Sequence, residues 1–207
     1  MSSSLVDPVV IDGQILKDEI YGPSHSAGPG FLGAGLLYYT LAYMWKAKLC
    51  VCLGSGSGFV PRLMRQAQRD LGISAESRTI LIDAELPGWG DPDYHDKPDG
   101  FFRQNFDVEI WKEKTSAAAA KLAPGTIDYL HIDADHSYEG AREDFDTYMP
   151  LVGASRVVTL HDTLASNAGV FQLVEELRED PAYDVLNMRI GIGAAIVKRR
   201  EKIGVVA

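Results

Sequence analysis

The residues best suited to chemistry lie in one short stretch of the chain. An apolar run over residues 126–132 is followed by ligand-type side chains, namely Asp133, Asp135 and His136. Carboxylates and imidazoles can bind a metal ion or move a proton, and leaving them without partners at the end of a buried strand is costly. In an open α/β sheet, ligands bind beside the carboxyl ends of the strands. We therefore expect the reaction site here.

The elements around this stretch alternate between strand-like and helix-like segments. The expected parallel strands are Leu49–Leu53, Thr79–Asp83, Val108–Glu113, Thr126–Ile132 and Arg156–Leu160, the last of which ends in His161 and Asp162. Two further runs, Asp184–Ile190 and Gly193–Lys198, are joined by a glycine-containing turn typical of a hairpin. This pattern predicts an α/β fold with a mostly parallel sheet, flanking helices and an antiparallel last strand.

A glycine-rich loop follows the first of these strands. Gly54, Gly56 and Gly58 would let the backbone turn tightly and approach a ligand, with the amino end of the next helix directed at it. A dinucleotide-binding fingerprint has a third glycine three residues after the second, and Phe59 stands there instead. Asp83, at the end of the second strand, is suited to accept hydrogen bonds from two ribose hydroxyls, although a turn-capping role is the alternative.

These features together carry a family resemblance. Leu49–Val60 with Asp83 resembles motifs I and II of class I S-adenosylmethionine-dependent methyltransferases. The segments HIDADHSYEG (131–140) and LHD (160–162) resemble a narrower group, the small-molecule and sugar O-methyltransferases, several of which depend on magnesium. The resemblance covers about residues 49–162. It implies a Rossmann-like, seven-stranded sheet in the order 3-2-1-4-5-7-6.

The resemblance also implies a site. The cofactor S-adenosylmethionine would contact a set of residues drawn from four strand ends: Gly54, Ser55, Gly56, Gly58, Asp83, Ala84, Ser116 and Asp133. In the implied strand order, the ends of strands 4 and 5 are neighbours. Asp133 and Asp162, with His161, would then hold a divalent cation, either Mg²⁺ or Mn²⁺. The cation would lower the pKa of a substrate hydroxyl, and Asp135 or His136 would act as the catalytic base.

One residue departs from the family pattern, and several have plainer interpretations. Cys52 occupies the position, two before the first glycine, where the family usually has an acidic residue that helps hold the methionine amino group. Asp135 could cap the following helix, although Ser137 competes for that position. His136 could be a hydrogen-bonded supporting residue, and His131, inside a strand, is expected to be structural. The acidic run 139–146 is interpreted as a solvated helix face.

Other function classes compete with this one. A metal-independent methyltransferase would use His136 or His161 as its base. A dinucleotide-dependent oxidoreductase is disfavoured by Phe59. A non-catalytic cofactor-binding domain is favoured slightly by Cys52 but disfavoured by the retained carboxylates and histidines.

Composition limits the partners. The chain has 207 residues and a net charge of −9, which argues against nucleic acid or an anionic membrane as a partner. The resemblance implies a small hydroxylated molecule as the substrate. The first residues lack the basic and apolar regions of a signal peptide, so we expect none here, and no apolar run is long enough to cross a bilayer. Cys50 and Cys52 are a poor disulfide pair, so free thiols suggest a cytoplasmic compartment. A homodimer is possible.

Two irregular segments flank the expected core. We expect a single domain over 1–207, with an N-terminal flap and helix over 1–48 and a cofactor-binding core over 49–207. Residues 21–30 are interpreted as a connecting loop, with the alternative of a flap whose Ser24 or His25 touches ligand. Residues 84–107 contain many prolines, glycines and aromatic residues, which predict a lid or substrate wall, or else a loop covering its own hydrophobic cluster.

Overall fold

The computed structural model describes residues 7–54, 56–84 and 100–201, and shows a seven-stranded sheet in the order β3-β2-β1-β4-β5-β7-β6. The strands are β1 (Leu49–Leu53), β2 (Arg78–Asp83), β3 (Glu109–Lys112), β4 (Ile127–Ile132), β5 (Val152–His161), β6 (Tyr183–Met188) and β7 (Ala194–Arg199). β1 to β5 pair in parallel, and β7 runs antiparallel to both of its neighbours. The predicted fold class and strand order are confirmed.

Helices cover both faces of this sheet. They are α1 (Gly35–Met44), α2 (Phe59–Asp70), α3 (Phe101–Asn105), α4 (Thr115–Ala119), α5 (Tyr138–Tyr148) and α6 (Ala168–Glu179). Before them, a helical turn at Pro8–Val10 continues as a π-helical segment over Ile11–Ile15. In the described parts of the chain, no helix is both long and apolar enough to cross a membrane.

The core has two halves because the side chains of each strand alternate between the two faces of the sheet. Val51 and Leu53 of β1 face a cluster that includes residues of α4, α5 and α6. Cys50 and Cys52 face the opposite cluster, which includes residues of α1 and α2. Both cysteines are buried and free, as their spacing predicts.

Several local boundaries differ from the prediction. β5 begins at Val152, before the expected Arg156, and the segment 84–107 contains the short helix α3. The sequence favours Thr115 or Ser116 as the N-cap of a helix over residues 117–122. That prediction is wrong, because α4 begins at Thr115. The N-cap position belongs to Lys114, and no side chain caps the helix. The Thr115 hydroxyl is used elsewhere, since it donates to Asp144.

Strand register brings the site together. Leu53 of β1 pairs with Ile132 of β4, and Ile132 pairs with Leu160 of β5. The residues that come next, which are Gly54, Asp133 and His161, therefore leave the sheet side by side. The division of the chain at residue 48 stays a prediction.

Candidate active site

A cleft of about 640 Å³ opens at the carboxyl ends of β1, β2, β4 and β5. This volume is within the usual range for small-molecule sites. Its walls combine strand ends, the start of α4, residues of α5 and the N-terminal loop. The residues that line it include Ser24, His25, Gly54, Gly56, Phe59, Asp83, Ala84, Thr115, Ser116, Asp133, Asp135, His136, Gly140, Asp144, His161, Asp162, Asn167 and Ile192.

Asp133 is the centre of the charged cluster in this cleft. Its Oδ1 lies 3.4 Å from Nε2 of His136 and 3.4 Å from Nδ1 of His161. Oδ2 of Asp162 lies 2.9 Å from the same His136 nitrogen and 3.6 Å from the same His161 nitrogen. Two carboxylates from neighbouring strand ends therefore share two imidazoles, and the structure brings all four predicted residues together.

The backbone at Asp162 is in an unusual conformation. Its φ is +59°, in the left-handed region that costs a non-glycine residue about 1–2 kcal/mol. Strain of this kind is typical of functional sites whose surroundings hold a side chain in place. Here Nδ2 of Asn167 donates to Oδ1 of Asp162 at 3.0 Å, which leaves Oδ2 facing the histidines. The sequence favours Ser166 or Asn167 as the N-cap of α6. Asn167 occupies that position, but its side chain orients Asp162 instead of capping the helix.

The charges of the cluster balance one another. Contacts with Asp133 and Asp162 raise the pKa of His136 to about 10. Burial lowers the pKa of His161, but the charge of Asp133 and contacts with both carboxylates outweigh it and raise that pKa to about 10. Burial likewise opposes ionisation of Asp133, yet His161 and the other histidines hold its pKa well below the usual value. Without a bound cation, two imidazolium groups therefore neutralise two carboxylates.

His131 takes part differently. It is fully buried within β4, and its Nδ1 lies 2.8 Å from the Thr159 hydroxyl, which is also 3.0 Å from the Tyr129 hydroxyl. Its Nε2 is 3.8 Å from Asp133 and has no hydrogen-bond partner among the described residues. Burial lowers its pKa, so the ring is neutral. This environment fits the structural role expected of it.

Asp135 is placed for a local structural task. It is exposed, and its Oδ1 accepts a hydrogen bond from the Ser137 backbone N–H at 2.8 Å. A Cβ at Gly140 would overlap the Asp135 carboxylate, so glycine is needed where the side chain folds against α5. Ser137 caps that helix, as predicted, by accepting from the Gly140 N–H. Although Asp135 lines the cleft, the turn contact leaves His136 as the better placed base.

The glycine loop adopts the conformation that its sequence requires. Gly54, Gly56 and Gly58 all have positive φ values, of 70°, 51° and 86°. A Cβ at Gly54 would overlap the backbone of Asp133, so this glycine allows β1 and β4 to approach at the cleft. Gly54 and Gly56 line the cleft, whereas Gly58 starts α2 and packs on Phe102. The predicted contact Ser55 lies outside the described residues.

The remaining residues that are predicted to contact the cofactor also line the cleft. Asp83 and Ala84, at the end of β2, and Ser116, in the first turn of α4, all line it. Cofactor contact by Asp83, Ala84 and Ser116 stays a prediction.

Cys52 is fully buried, and its Sγ lies 3.1 Å from the Gly54 carbonyl oxygen. Burial raises the pKa of its thiol well above the usual value, so it cannot supply the negative charge of the family's acidic residue.

The N-terminal loop reaches into the cleft. The His25 ring is buried and stacks on His161, with ring centroids 3.9 Å apart, and on Phe59 at 4.9 Å. Its Nδ1 lies 3.2 Å from the Tyr38 hydroxyl. Burial lowers the pKa of His25 well below its usual value. The loop is therefore part of the site, which favours the flap over the plain connector.

Two contacts fasten this loop in place. The Ser57 hydroxyl accepts from the Ile20 N–H at 3.1 Å and donates to the Glu19 carboxylate, which ties the loop to the glycine turn. At the other end, the Ile192 N–H donates to the Ser24 carbonyl at 2.9 Å. Ile192 is the middle residue of the hairpin turn before β7. No local sequence signal marks these residues, because each contact joins distant segments.

Asp144 corrects one interpretation of the sequence. It belongs to the acidic run 139–146, expected to be a solvated face, yet only 4% of it is exposed. Its Oδ1 accepts from the Thr115 hydroxyl at 2.5 Å. Burial raises the pKa of this carboxyl to about 6. The helical spacing indicates this burial, because Asp144 lies on the same helix face as the apolar residues Ala141, Phe145 and Tyr148.

Known proteins share this architecture. The O-methyltransferase TomG from Streptomyces achromogenes, solved with S-adenosylmethionine, is 14% identical with a TM-score of 0.62, over 90% of this chain and 89% of that one. A Bacillus cereus O-methyltransferase bound to S-adenosylhomocysteine is also 14% identical, with a TM-score of 0.62 over 86% and 84% of the chains. The methyltransferase PaMTH1 from Podospora anserina, likewise bound to S-adenosylhomocysteine, is 15% identical, with a TM-score of 0.61 over 84% and 80%.

The sequence itself gives the family. A search of curated protein sequences found no match. Residues 51–163, however, match the family model described as a methyltransferase domain. That match covers more than half of the chain and includes the glycine loop and every member of the charged cluster. The chain therefore belongs to the methyltransferase domain family, as a class I S-adenosylmethionine-dependent methyltransferase.

Proposed function

We propose that this chain transfers a methyl group from S-adenosylmethionine to a hydroxyl of a small molecule, with a divalent cation bound by Asp133, His161 and Asp162. One observation carries the proposal. Asp133 follows β4 directly beside the glycine loop, and its carboxylate shares two histidines with the carboxylate that follows β5. A group able to activate a hydroxyl therefore lies next to the expected methyl donor.

The donor atoms fit a cation. Single ligand atoms of Asp133, His136 and Asp162 lie within 4.8 Å of one another, as do those of Asp133, His161 and His25. Nε2 of His161 is buried and has no hydrogen-bond partner among the described residues. Carboxylates with imidazole suit Mn²⁺, and Mg²⁺ to a lesser degree. When bound, such a cation lowers the pKa of an acceptor hydroxyl.

His136 is the proposed base. Its side chain is partly exposed at the cleft, and the Asp162 carboxylate 2.9 Å from Nε2 orients the ring. His136 can act as base only in its neutral form, which its two carboxylate partners disfavour unless they are engaged by a cation. The neutral ring then takes the hydroxyl proton, and the hydroxyl oxygen forms the new O–C bond as the C–S bond breaks. The electron pair stays on sulfur, which leaves S-adenosylhomocysteine. Methyl transfer is an in-line displacement, so alignment by the walls of the cleft supplies much of the rate enhancement.

The donor half of the cleft has its own residues. Gly54 and Gly56 allow the backbone to approach the methionine end, and Asp83 offers two oxygens to the ribose hydroxyls. Because the chain has a net charge of −9, a small hydroxylated acceptor suits it better than nucleic acid. The solved neighbours described as O-methyltransferases support an oxygen acceptor.

The test is transfer of a radiolabelled methyl group to a panel of catechols, other phenols and sugars. Transfer should stop when EDTA is added and return when Mn²⁺ is restored. Asp133→Asn should abolish transfer with only a modest loss of affinity for S-adenosylhomocysteine, because the carboxylate acts mainly on the acceptor. Unchanged turnover in Asp133→Asn would remove this residue from the mechanism.

A second candidate is a metal-independent methyltransferase. The ion pairs of His136 and His161 with both carboxylates favour it, because the cluster is neutral without any cation. These ion pairs also keep His136 protonated at neutral pH, so turnover by this route should rise as the pH approaches the His136 pKa of about 10. Activity that survives EDTA and is lost in His136→Gln would establish this alternative.

A further inference from the structure

The N-terminal loop brings a histidine to the charged cluster from outside the matched methyltransferase segment. One ring nitrogen of His25 lies within 4.8 Å of ligand atoms of both Asp133 and His161. The His25 ring is only 3% exposed and stacks face to face on the His161 ring. A third imidazole, His136, approaches the same carboxylate from the turn that precedes α5. Asp133 thus faces histidines from three separate segments.

His25 is held firmly in this position. Phe59 covers one side of the ring and the Tyr38 hydroxyl contacts Nδ1 at 3.2 Å. The backbone is fixed as well, because the Ala34 N–H donates to the His25 carbonyl and the Ile192 N–H to the Ser24 carbonyl. A buried ring with so many constraints is preorganised, and a ligand held by its neighbours loses little freedom when an ion binds.

We propose that His25 is a ligand of the cation site, and that His25 and His161 together make the site select Mn²⁺ or a later first-row transition ion over Mg²⁺. This inference rests on the proposed function, which places a cation beside Asp133 and Asp162. Mg²⁺ prefers oxygen ligands and loses its waters reluctantly, whereas imidazole nitrogen suits transition ions. His161 faces both carboxylates through Nδ1, and its Nε2 is buried without a hydrogen-bond partner among the described residues.

The experiment compares metal affinities of the full chain after removal of bound ions. Mn²⁺ binding is followed by EPR of the free ion, and Mg²⁺ binding by competition. The wild type should bind one Mn²⁺ more than about tenfold tighter than Mg²⁺. His25→Phe keeps a ring between Phe59 and His161 but removes the ligand atom. It should weaken Mn²⁺ binding by about tenfold or more and leave Mg²⁺ binding nearly unchanged.

Ser26→Gly is the matched control, since Ser26 follows His25 on the same loop, is exposed, and has a positive φ of 57° that glycine adopts freely, so both affinities should stay unchanged. Pulsed EPR of Mn²⁺-loaded protein then counts bound imidazole nitrogens. We expect a loss of one nitrogen in His25→Phe. If that variant fails to fold by circular dichroism, His136→Gln replaces it and must retain two bound nitrogens.

The outcomes separate the two proposals. If the wild type binds Mn²⁺ and His25→Phe binds it equally well with the same nitrogen count, His25 is not a ligand, while the metal-dependent mechanism stands. A single bound nitrogen in His136→Gln overturns the inference in the same way. If the wild type binds neither Mn²⁺ nor Mg²⁺, both the inference and the metal role in the proposed function fail.

Discussion

Replacing Asp144 with asparagine should stabilise the protein, and the gain should grow as the pH rises from mildly acidic to neutral. Burial, reinforced by the nearby charges of Glu143 and Asp135 and partly offset by the Thr115 hydroxyl, raises the pKa of this carboxyl to about 6. The value in an unfolded chain is about 3.9. A raised pKa means that the protonated form suits the fold, so this stability is complete below the unfolded pKa and lost as the pH rises through the folded pKa.

The magnitude follows from the size of the shift. A difference of about two pKa units corresponds to about 3 kcal/mol once the group is fully ionised. Asparagine has the same shape and can still accept the Thr115 hydrogen bond through its carbonyl oxygen, but it cannot ionise. Asp144→Asn should therefore exceed the wild type by about 1 kcal/mol at pH 4.5 and by about 3 kcal/mol at pH 8.

Urea denaturation at both pH values measures the free energy of unfolding of each variant. Asp146→Asn is the matched control, because Asp146 lies on the same helix but is exposed and pairs only with Arg142 at the surface. Its effect should stay below about 1 kcal/mol at either pH. If Asp144→Asn does not raise the free energy of unfolding at pH 8, or raises it equally at pH 4.5, the Asp144 carboxyl does not have the raised pKa that its burial implies.

Two further substitutions test how the site is built. Gly54→Ala should weaken S-adenosylhomocysteine binding by more than about tenfold, because a Cβ at this positive-φ position overlaps the Asp133 backbone. Calorimetry measures it, and Gly13→Ala, which has open space around it, is the control that should bind normally. Asn167→Ala should weaken Mn²⁺ binding by about tenfold, because it releases the Asp162 carboxylate. Unchanged Mn²⁺ affinity would show that Asn167 does not position Asp162.

Much of the fold follows from local patterns in the sequence. Apolar runs such as Leu49–Leu53 predict buried parallel strands, and β1 has those same bounds. The strand order came from the family resemblance and not from any local pattern. Once that order is known, the register of β1, β4 and β5 brings Gly54, Asp133 and His161 side by side. The adjacency of the cluster was therefore predictable, because it depends on strand ends alone.

Other features depend on long-range packing that no local pattern records. His25 lies in a glycine-rich loop, and its place beside His161 depends on contacts with Tyr38, Phe59 and the hairpin turn. The left-handed backbone of Asp162 is likewise a product of its surroundings. Asp144 is different, because its position on the apolar face of α5 indicates burial. Its negative charge favours the opposite interpretation, a solvated face. Of the predicted contacts, Ser55 lies outside the described residues.

The central claim is that the cleft beside the glycine loop binds the methyl donor next to the charged cluster. Isothermal titration calorimetry with S-adenosylhomocysteine tests it most directly, since the measurement needs neither the acceptor nor a metal. We expect one binding site with a dissociation constant well below the millimolar range, and Gly54→Ala should weaken this binding by more than about tenfold. Absence of binding by both S-adenosylhomocysteine and S-adenosylmethionine at millimolar concentration would contradict the account.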